Sequence, residues 1–238
     1  RLAGLPLIEH VLRAASALTP HSTGVVVGHM ADQVRAGLVD HASLRFVLQA
    51  EQRGTGHALL QAESLFGGQR GALVVLSGDV PLIRPETLRR LVKTHERADA
   101  ALTVLTATLT RPYGYGRIVR KDGRLNRVVE ERDASEAQRQ LTEINSGIYA
   151  LALAPLFDAL REIRASGALN EIYLPGLVTI YRRRGLAVET VCVENPDEVR
   201  GINSQTELAE VRQIVRQSKN EELMAAGVTI DDPATTYI

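Results

Sequence analysis

The sequence predicts an α/β protein built on a mostly parallel β-sheet with helices on both faces. Short runs of Val, Ile and Leu alternate with amphipathic helical stretches between residues 7 and 108. One run, 72–76 (ALVVL), is continuously apolar, which is typical of a strand buried on both faces of a parallel sheet. Strands that alternate with helices through short connections favour right-handed crossovers and therefore a parallel arrangement.

The elements of the first half follow from periodicity and from helix-start signals. Apolar residues from Leu7 to Leu18 recur at helical spacing, and the β-branched run TGVVV follows. Pro85 stands at a helix start, where its missing N–H costs nothing. The predicted helices are 7–18, 31–39, 56–65 and 86–98, and the predicted strands are 23–27, 44–48, 72–76 and 100–108.

After Thr110 the pattern changes. Two short strands within 117–130 flank Asp122-Gly123, a strong hairpin turn. The remaining predicted helices are 134–140, 153–165, 173–184 and 204–224, the last as one helix or two, and the remaining strands are 143–151 and 187–193. Residues 228–238 return to Val, Ile and Thr around an Asp-Asp-Pro turn, which we interpret as the first rung of a further structure.

Composition excludes several functional classes. The chain has 238 residues, with 28 Lys+Arg against 28 Asp+Glu, and this zero net charge predicts no nucleic-acid or membrane partner. Cys192 is the only cysteine, so neither an internal disulfide nor a thiolate zinc site is expected, which favours the cytoplasm. The six His residues have no metal-ligand spacing, and no stretch approaches the roughly 20 apolar residues of a spanning helix.

Residues 49–57 (QAEQRGTGH) follow a predicted strand and open a helix. The glycines on either side of Thr55 would let the backbone approach a flat or anionic ligand, and the helix start adds free N–H groups. The alternative is a glycine-rich turn between a strand and a helix, with no ligand.

Residues 77–82 (SGDVPL) follow the buried strand 72–76, where ligands bind in open α/β sheets. A carboxylate there, Asp79, is a natural partner for a divalent cation. The alternative is an aspartate in a tight turn before Pro81.

Four further polar signals lie at strand ends or beside them. The loop 113–117 (YGYGR) has glycines at alternate positions and an aromatic wall, Glu130 ends a strand, and Asn145 lies inside an apolar strand. A buried Asn amide needs hydrogen-bond partners, either from the protein or from a ligand's hydroxyls. Asn203 follows the last strand and is either a ligand or a helix N-cap.

Seven motifs occur in the order that a known family has them: QAEQRGTGHA, SGDVPL, YGYGR, VVEERDAS, EINSGIY, NEIYLPGL and EVRGINSQTELAEV. The sequence resembles the uridyltransferase domain of bifunctional bacterial N-acetylglucosamine-1-phosphate uridyltransferase/glucosamine-1-phosphate acetyltransferase over almost the whole chain. The resemblance implies a Rossmann-like sheet of the nucleotide-diphospho-sugar transferase type over 1–226, and the first rung of a left-handed β-helix acyltransferase domain over 227–238.

The resemblance also implies an activity and partners. Members of this family convert UTP and N-acetylglucosamine 1-phosphate into UDP-N-acetylglucosamine and pyrophosphate with Mg²⁺, for peptidoglycan and lipopolysaccharide precursors. The parent chain is then expected to acetylate glucosamine 1-phosphate and to form a homotrimer through its β-helix. In this family catalysis depends on the positioning of two anions and a metal, so the resemblance implies no acid or base residue.

The resemblance assigns roles to single residues. Gln49, Gly54 and Thr55 would bind the uracil and the ribose side, with Ser77 and Gly78 lining the nucleotide. Asp79 and Asn203 would hold Mg²⁺. The N-acetylglucosamine would be held by Gly116, Glu130 and Asn145.

The sequence departs from the family at two places. The family's first strand and its phosphate loop of the type LAAGxGTRM are not among these residues, so we expect the chain to be truncated at both ends and impaired as an isolated enzyme. Gly176 stands where the family usually has Asp. Two alternatives stay open: a nucleotidyltransferase for another sugar phosphate, of glucose or thymidylyl type, and a non-catalytic module that binds sugar nucleotides.

Overall fold

The computed structural model describes residues 1–164 and 171–238. Its helices are α1 (Leu7–Ser16), α2 (Ala31–Ala36), α3 (Thr55–Gln61), α4 (Glu63–Phe66), α5 (Pro85–Arg97), α6 (Glu136–Arg139), α7 (Leu153–Glu162), α8 (Gly176–Arg183) and α9 (Gln205–Ala225). Its strands are β1 (Thr23–Val27), β2 (Leu44–Leu48), β3 (Ala72–Val75), β4 (Leu102–Thr108), β5 (Arg117–Lys121), β6 (Arg124–Val129), β7 (Glu143–Ala152) and β8 (Val188–Cys192).

The strands form two sheets. β1 and β2 pair in parallel, and a six-stranded sheet has the order β6-β5-β7-β4-β8 with β3 also paired to β7. β3, β4 and β5 run antiparallel to β7, and β8 runs parallel to β4, so these four strands share one direction. The predicted α/β class with a mostly parallel sheet is confirmed, and the reversed strand β7 at the centre is a detail that the sequence pattern does not give.

Strand β7 is where the polar loops of the molecule meet. β4 covers one edge of β7, so β3 and β5 share the other edge: β3 ends at Val75, paired with Tyr149, and β5 begins at Arg117, paired with Ile144. The four residues of β7 between these two pairings include Gly147. The loops that leave β3 and enter β5 therefore converge over residues 145–148.

A bulge marks the same part of β7. Val104 of β4 pairs with Tyr149, but Thr106 pairs with Asn145, so two steps along β4 correspond to four along β7. Gly147 has a φ of +79°, a conformation that glycine adopts at no steric cost. Bulges of this kind re-aim side chains and are common beside active sites.

Two apolar cores lie on the two faces of the six-stranded sheet. Tyr149 and Leu151 belong to one, with residues of α7 and α8. Ile148 and Ala150 belong to the other, with Leu88 and Leu91 of α5. This alternation is what a strand buried on both faces requires.

Most predicted elements are confirmed, with shifts at their ends. The predicted helix 56–65 is divided into α3 and α4, α2 ends at Ala36 rather than at residue 39, and 204–224 forms one helix. The helix predicted from residue 173 begins only at Gly176, because Ile172 bonds Arg53 in the loop before α3 and Leu174 bonds Thr55 at the start of α3. The helix predicted over 153–165 ends at Glu162, and residue 165 lies outside the described residues, as does Asn170 of the NEIYLPGL motif.

Residues 228–238 carry turns and no strand in the described structure, so the predicted β-helix rung stays a prediction. The buried side chain of Asn220 in α9 donates to the carbonyls of Pro233 and Thr236, at 2.8 and 3.0 Å, and fixes this segment. Across the described ranges, no helix has the length and the apolar composition needed to cross a membrane.

Candidate functional site

Asp79 lies in the loop that follows β3, where the sequence predicts a metal ligand. Its backbone carbonyl accepts from the N–H of Ile202 at 3.0 Å, which ties this loop to the one before α9. Burial raises the pKa of the Asp79 carboxyl, and the charge of Glu207 acts in the same direction. In the part of the chain that the structure describes, no cationic side chain pairs with Asp79.

Asn203 approaches Asp79 across Gly201. A Cβ placed on Gly201 would lie 3.5 Å from Asp79 Oδ2 and 3.7 Å from Asn203 Nδ2, so both side chains border the same glycine. Ser204, not Asn203, caps α9: its hydroxyl accepts from the N–H of Glu207 at 3.1 Å. The N-cap alternative for Asn203 is therefore wrong, and its exposed amide remains available to a ligand.

The pair Asp79 and Asn203 fits a hard divalent cation. Both offer side-chain oxygens, and Mg²⁺ needs only one or two protein ligands when phosphate oxygens and water complete its shell. A half-buried carboxylate without a cationic partner has a raised pKa because its charge is poorly compensated, and a cation would compensate it. Among the described residues, no cluster of three or more His, Cys, Asp or Glu forms another metal site.

Gly116 and Glu130 form the second group. A Cβ on Gly116 would lie 3.4 and 3.5 Å from the two carboxylate oxygens of Glu130 and 3.1 Å from Val128 Cγ1. A side chain at position 116 would therefore crowd the Glu130 carboxylate. Burial raises the pKa of Glu130, while the charge of Arg132 opposes this shift.

Asn145 joins this group through its backbone and its side chain. Its N–H donates to the carbonyl of Gly116 at 2.8 Å, its Nδ2 donates to the hydroxyl of Tyr149 at 2.7 Å, and its Oδ1 accepts from the N–H of Gly147 at 3.3 Å. The amide thus has protein partners, yet one N–H and one lone pair remain for a ligand. Tyr149 was not a predicted site residue, although it follows Asn145 in the same motif.

Two contacts place the Asp79 group beside the Gly116 group. The N–H of Gly201 donates to the hydroxyl of Tyr115 at 3.5 Å. A Cβ on Gly147 would lie 3.4 Å from the Ser77 hydroxyl. Gly78 is exposed, and a Cβ placed on it would lie 3.7 Å from the side chain of Ile8.

Gln49, Gly54 and Thr55 form a third group. Gln49 is buried, and its Nε2 lies 3.2 Å from the carbonyl of Gly54 and 3.0 Å from His57 Nδ1. A Cβ on Gly54 would lie 2.7 Å from the carbonyl oxygen of Ile172, and the hydroxyl of Thr55 accepts from the N–H of Leu174 at 3.1 Å. The alternative that residues 49–57 form only a glycine-rich turn has this physical basis, because Gly54 leaves room for the protein's own backbone. The ligand-binding role of Gly54 stays a prediction.

Residues 171–174 link the third group to Arg132, which follows Glu130 by two residues. Ile172 and Leu174 bond the Gly54 loop, while Glu171 and Tyr173 turn to Arg132. The Arg132 guanidinium lies 4.8 Å from the centre of the Tyr173 ring, and its Nη1 lies 3.2 Å from Glu171 Oε2. Sequence reasoning missed Glu171 and Tyr173, whose alternation with apolar neighbours in NEIYLPGL was the available signal.

Two open depressions on the described surface lie elsewhere. One of 280 Å³ is bordered by Arg70 and Phe157, and one of 520 Å³ lies between α9 and the loops of Arg84 and Glu198. The predicted polar groups converge instead where β3 ends and β5 begins, and ligands of open α/β sheets bind at the carboxyl ends of strands such as β3.

A protein-family model described as a MobA-like NTP transferase domain matches residues 1–174, well over half of the 238 residues. The chain belongs to the MobA-like NTP transferase family. The match contains β3 and the complete β5–β7 unit, and with them every predicted site residue except Asn203.

Curated relatives of this NTP transferase chain are called bifunctional protein GlmU. The protein from Geobacter metallireducens is 46% identical over 238 residues, and that from Pelotomaculum thermopropionicum is 46% identical over 240 residues. Both alignments cover 100% of this chain but only 50% and 52% of the relative, so the chain spans about half the length of these proteins. The resemblance drawn from the seven motifs is confirmed.

A solved structure shares the fold of this NTP transferase chain. It is described as the crystal structure of UDP-glucose pyrophosphorylase complexed with UDP-glucose, and it superposes with a TM-score of 0.66. The match covers 90% of this chain and 87% of the other at 17% identity, which supports the fold alone.

Proposed function

We propose that this chain is a nucleotidyltransferase that forms UDP-N-acetylglucosamine and pyrophosphate from UTP and N-acetylglucosamine 1-phosphate. The observation that carries the proposal is the contact between Gly201 and Tyr115, which joins the Asp79 group to the Gly116 group. One group has the chemistry to bind a phosphate-bound cation, and the other has carboxylate and amide groups suited to sugar hydroxyls. Relatives at 46% identity over the whole chain, with the name bifunctional protein GlmU, support the same activity.

The proposed reaction is a direct displacement. A phosphate oxygen of N-acetylglucosamine 1-phosphate forms a bond to the α-phosphorus of UTP, the bond from that phosphorus to the bridging oxygen breaks, and pyrophosphate leaves with the electron pair. The attacking oxygen is already anionic, so no general base is needed. The protein must instead align two anions, and alignment of reactants is worth roughly 7–11 kcal/mol.

Individual residues then have distinct tasks. Glu130 accepts hydrogen bonds from sugar hydroxyls, Asn145 donates one and accepts one, and Gly116 leaves room for the sugar against the backbone. The groups proposed to bind the nucleotide are Gln49, Gly54, Thr55, Ser77 and Gly78. Mg²⁺ held by Asp79 and Asn203 would neutralise phosphate charge when bound.

Binding calorimetry tests the substrate class. The 238-residue chain, with Mg²⁺ present, is titrated with UDP-N-acetylglucosamine, UDP-glucose and dTDP-glucose. We expect the tightest binding for UDP-N-acetylglucosamine, by about tenfold if the acetamido group is recognised. If UDP-glucose or dTDP-glucose binds more tightly, the proposed sugar substrate is wrong. If none of the three compounds binds, the proposal is overturned.

Pyrophosphate release from UTP and N-acetylglucosamine 1-phosphate tests the activity. It is measured with this chain and with the longest natural reading frame that contains it. Asp79→Asn removes a charge but keeps the shape, so release should fall by about 100-fold or more in whichever protein is active. Asp40→Asn, at an exposed aspartate after α2, is the control and should leave the rate unchanged.

We propose a second activity and an oligomeric assembly for the whole protein. Its second activity would be acetylation of glucosamine 1-phosphate, in a β-helix domain that residues 227–238 enter, and its assembly a homotrimer formed through that domain. With one cysteine in the sequence, a cytoplasmic location fits. Light scattering should give a monomer for the 238-residue chain, and a stable trimer of this chain would contradict the role of the β-helix.

A further inference from the structure

An ion pair between a buried arginine and a half-buried glutamate lies next to the Gly116 group. The side chain of Arg117 is 2% exposed, and its Nη2 lies 2.6 Å from Glu131 Oε2. Each member is the chain neighbour of a proposed sugar-binding residue, because Gly116 precedes Arg117 and Glu130 precedes Glu131.

The Arg117 guanidinium holds three separate segments together. Besides Glu131, it donates to the carbonyl of Tyr115 in the loop before β5 and to the carbonyl of Arg139 at the end of α6, 3.5 Å away. Glu131 returns to the same loop, since its Oε2 accepts from the N–H of Gly114 at 3.3 Å. Loop 113–116 and the end of β6 are therefore cross-linked in both directions.

Stability does not explain the presence of this ion pair. Replacing a buried ion pair by apolar side chains of similar volume is often neutral or stabilising, because desolvation offsets the attraction between the charges. The Nε of Arg117 is also buried without a hydrogen-bond partner among the described residues, which adds a cost. The pair does orient the loop segments that it joins, because a planar guanidinium holds its acceptors in one geometry.

This fixed geometry orients the proposed sugar-binding residues. Gly116 and the Glu130 carboxylate approach each other on one side, and Arg117 and Glu131 pair on the other. The backbone carbonyl of Gly116 also accepts from Asn145, so a shift of the loop would move all three proposed sugar ligands relative to one another.

We infer that Arg117 and Glu131 are positioning residues that set the N-acetylglucosamine half of the site and leave the uridine half unaffected. The inference rests on the proposed function, because it assigns the Gly116 group to the sugar. The uridine half lies in a different loop, around Gln49 and Gly54. Among the described residues, the polar contacts of Arg117 and Glu131 go to residues 114, 115 and 139 and to each other, not to that loop.

Saturation-transfer NMR of UDP-N-acetylglucosamine separates the two halves, because acetyl and sugar-ring protons and uracil protons report their own contacts. The variants are Glu131→Gln and Arg117→Lys. The control is Glu143→Gln, in the Arg120–Glu143 pair at the other end of β5. That pair has the same 2.6 Å separation, and the exposure of Glu143 (23%) matches that of Glu131 (24%).

The ratio of sugar to uracil signal should fall by about threefold in Glu131→Gln and Arg117→Lys, the effect of losing one ordinary hydrogen bond, and stay constant in Glu143→Gln. An unchanged ratio in the first two variants, or an equal fall in the control, would overturn the inference alone. If the unmodified chain gives no signal from either half, the proposed function fails, and this inference fails with it.

Discussion

Asn145 donates a hydrogen bond from its Nδ2 to the hydroxyl oxygen of Tyr149, 2.7 Å away, across the bulge of β7. Both side chains are buried, and Gly147 between them has a positive φ. Burial raises the pKa of Tyr149, and the nearby charge of Glu130 acts in the same direction. The tyrosine therefore stays neutral, and its hydroxyl keeps the amide of Asn145 in place beside Gly116.

Tyr149→Phe should destabilise the protein by about 1–2 kcal/mol, because it leaves a buried Asn145 donor without its partner. It should also weaken binding of UDP-N-acetylglucosamine more than binding of UDP. Urea unfolding and calorimetry measure the two effects.

The control for this prediction is Tyr181→Phe. Tyr181 is fully buried, and its hydroxyl has no hydrogen-bond partner among the described residues, so its removal should be neutral or stabilising. Equal losses of stability in the two variants would show that the Asn145 contact contributes nothing specific.

Gly54→Ala tests the close approach of the loop before α3 to residue 172. The φ of Gly54 is +90°, and a Cβ there would lie 2.7 Å from the backbone oxygen of Ile172. Gly227 has a φ of +92°, and no atom of the described residues lies within 4 Å of a Cβ placed there. Gly227→Ala therefore carries the conformational cost alone, roughly 1–2 kcal/mol.

The clash with a backbone atom should add about 1–3 kcal/mol to the loss in Gly54→Ala. Denaturant unfolding of both variants measures the difference. If Gly54→Ala is no less stable than Gly227→Ala, the contact with Ile172 does not constrain the loop.

The sequence predicted the alternation of strands and helices, the hairpin at Asp122-Gly123 and the groups at strand ends, because each depends on local patterns. It did not predict why Gly54 is a glycine, since the answer is the backbone of Ile172, far along the chain. The same limit applies to Tyr149, Glu171 and Arg132, whose contacts depend on the bulge in β7 and on the path of residues 171–174. Local sequence patterns thus indicate where the polar residues lie, whereas long-range packing determines which residues they contact.

Glu207 should support the proposed metal site through the backbone. Its Oε2 accepts from the N–H groups of Asn203 and Ser204, at 2.6 and 2.8 Å, and the first of these bonds contributes most to lowering the pKa of Glu207. Glu207→Ala releases the Asn203 loop, so affinity for Mn²⁺, measured by electron paramagnetic resonance, should fall by about 10-fold or more.

Ser204→Ala is the matched variant in the same capping box. It removes the bond to the Glu207 N–H but leaves Asn203 bound to the Glu207 carboxylate. It should cost about 1 kcal/mol of stability with little change in Mn²⁺ affinity. Equal effects of the two variants on Mn²⁺ affinity would remove Glu207 from the metal site.

His95 should make stability depend on pH below neutrality. It is buried in α5 with Nδ1 3.1 Å from the hydroxyl of Thr103, and burial lowers its pKa from the ordinary value of 6.5, against the opposing charges of Glu96 and Asp99. As the pH falls through 6.5, the unfolded chain binds a proton at His95 that the folded chain does not. The free energy of unfolding should therefore fall as the pH falls, by at most about 1.4 kcal/mol per pH unit, until the folded histidine is protonated too.

Urea unfolding between pH 7.5 and about 5 measures this pH dependence. The free energy of unfolding should change less steeply with pH in His95→Gln than in the unmodified chain, and equally steeply in His21→Gln, whose side chain is exposed. If His95→Gln keeps the full slope, other groups cause the pH dependence.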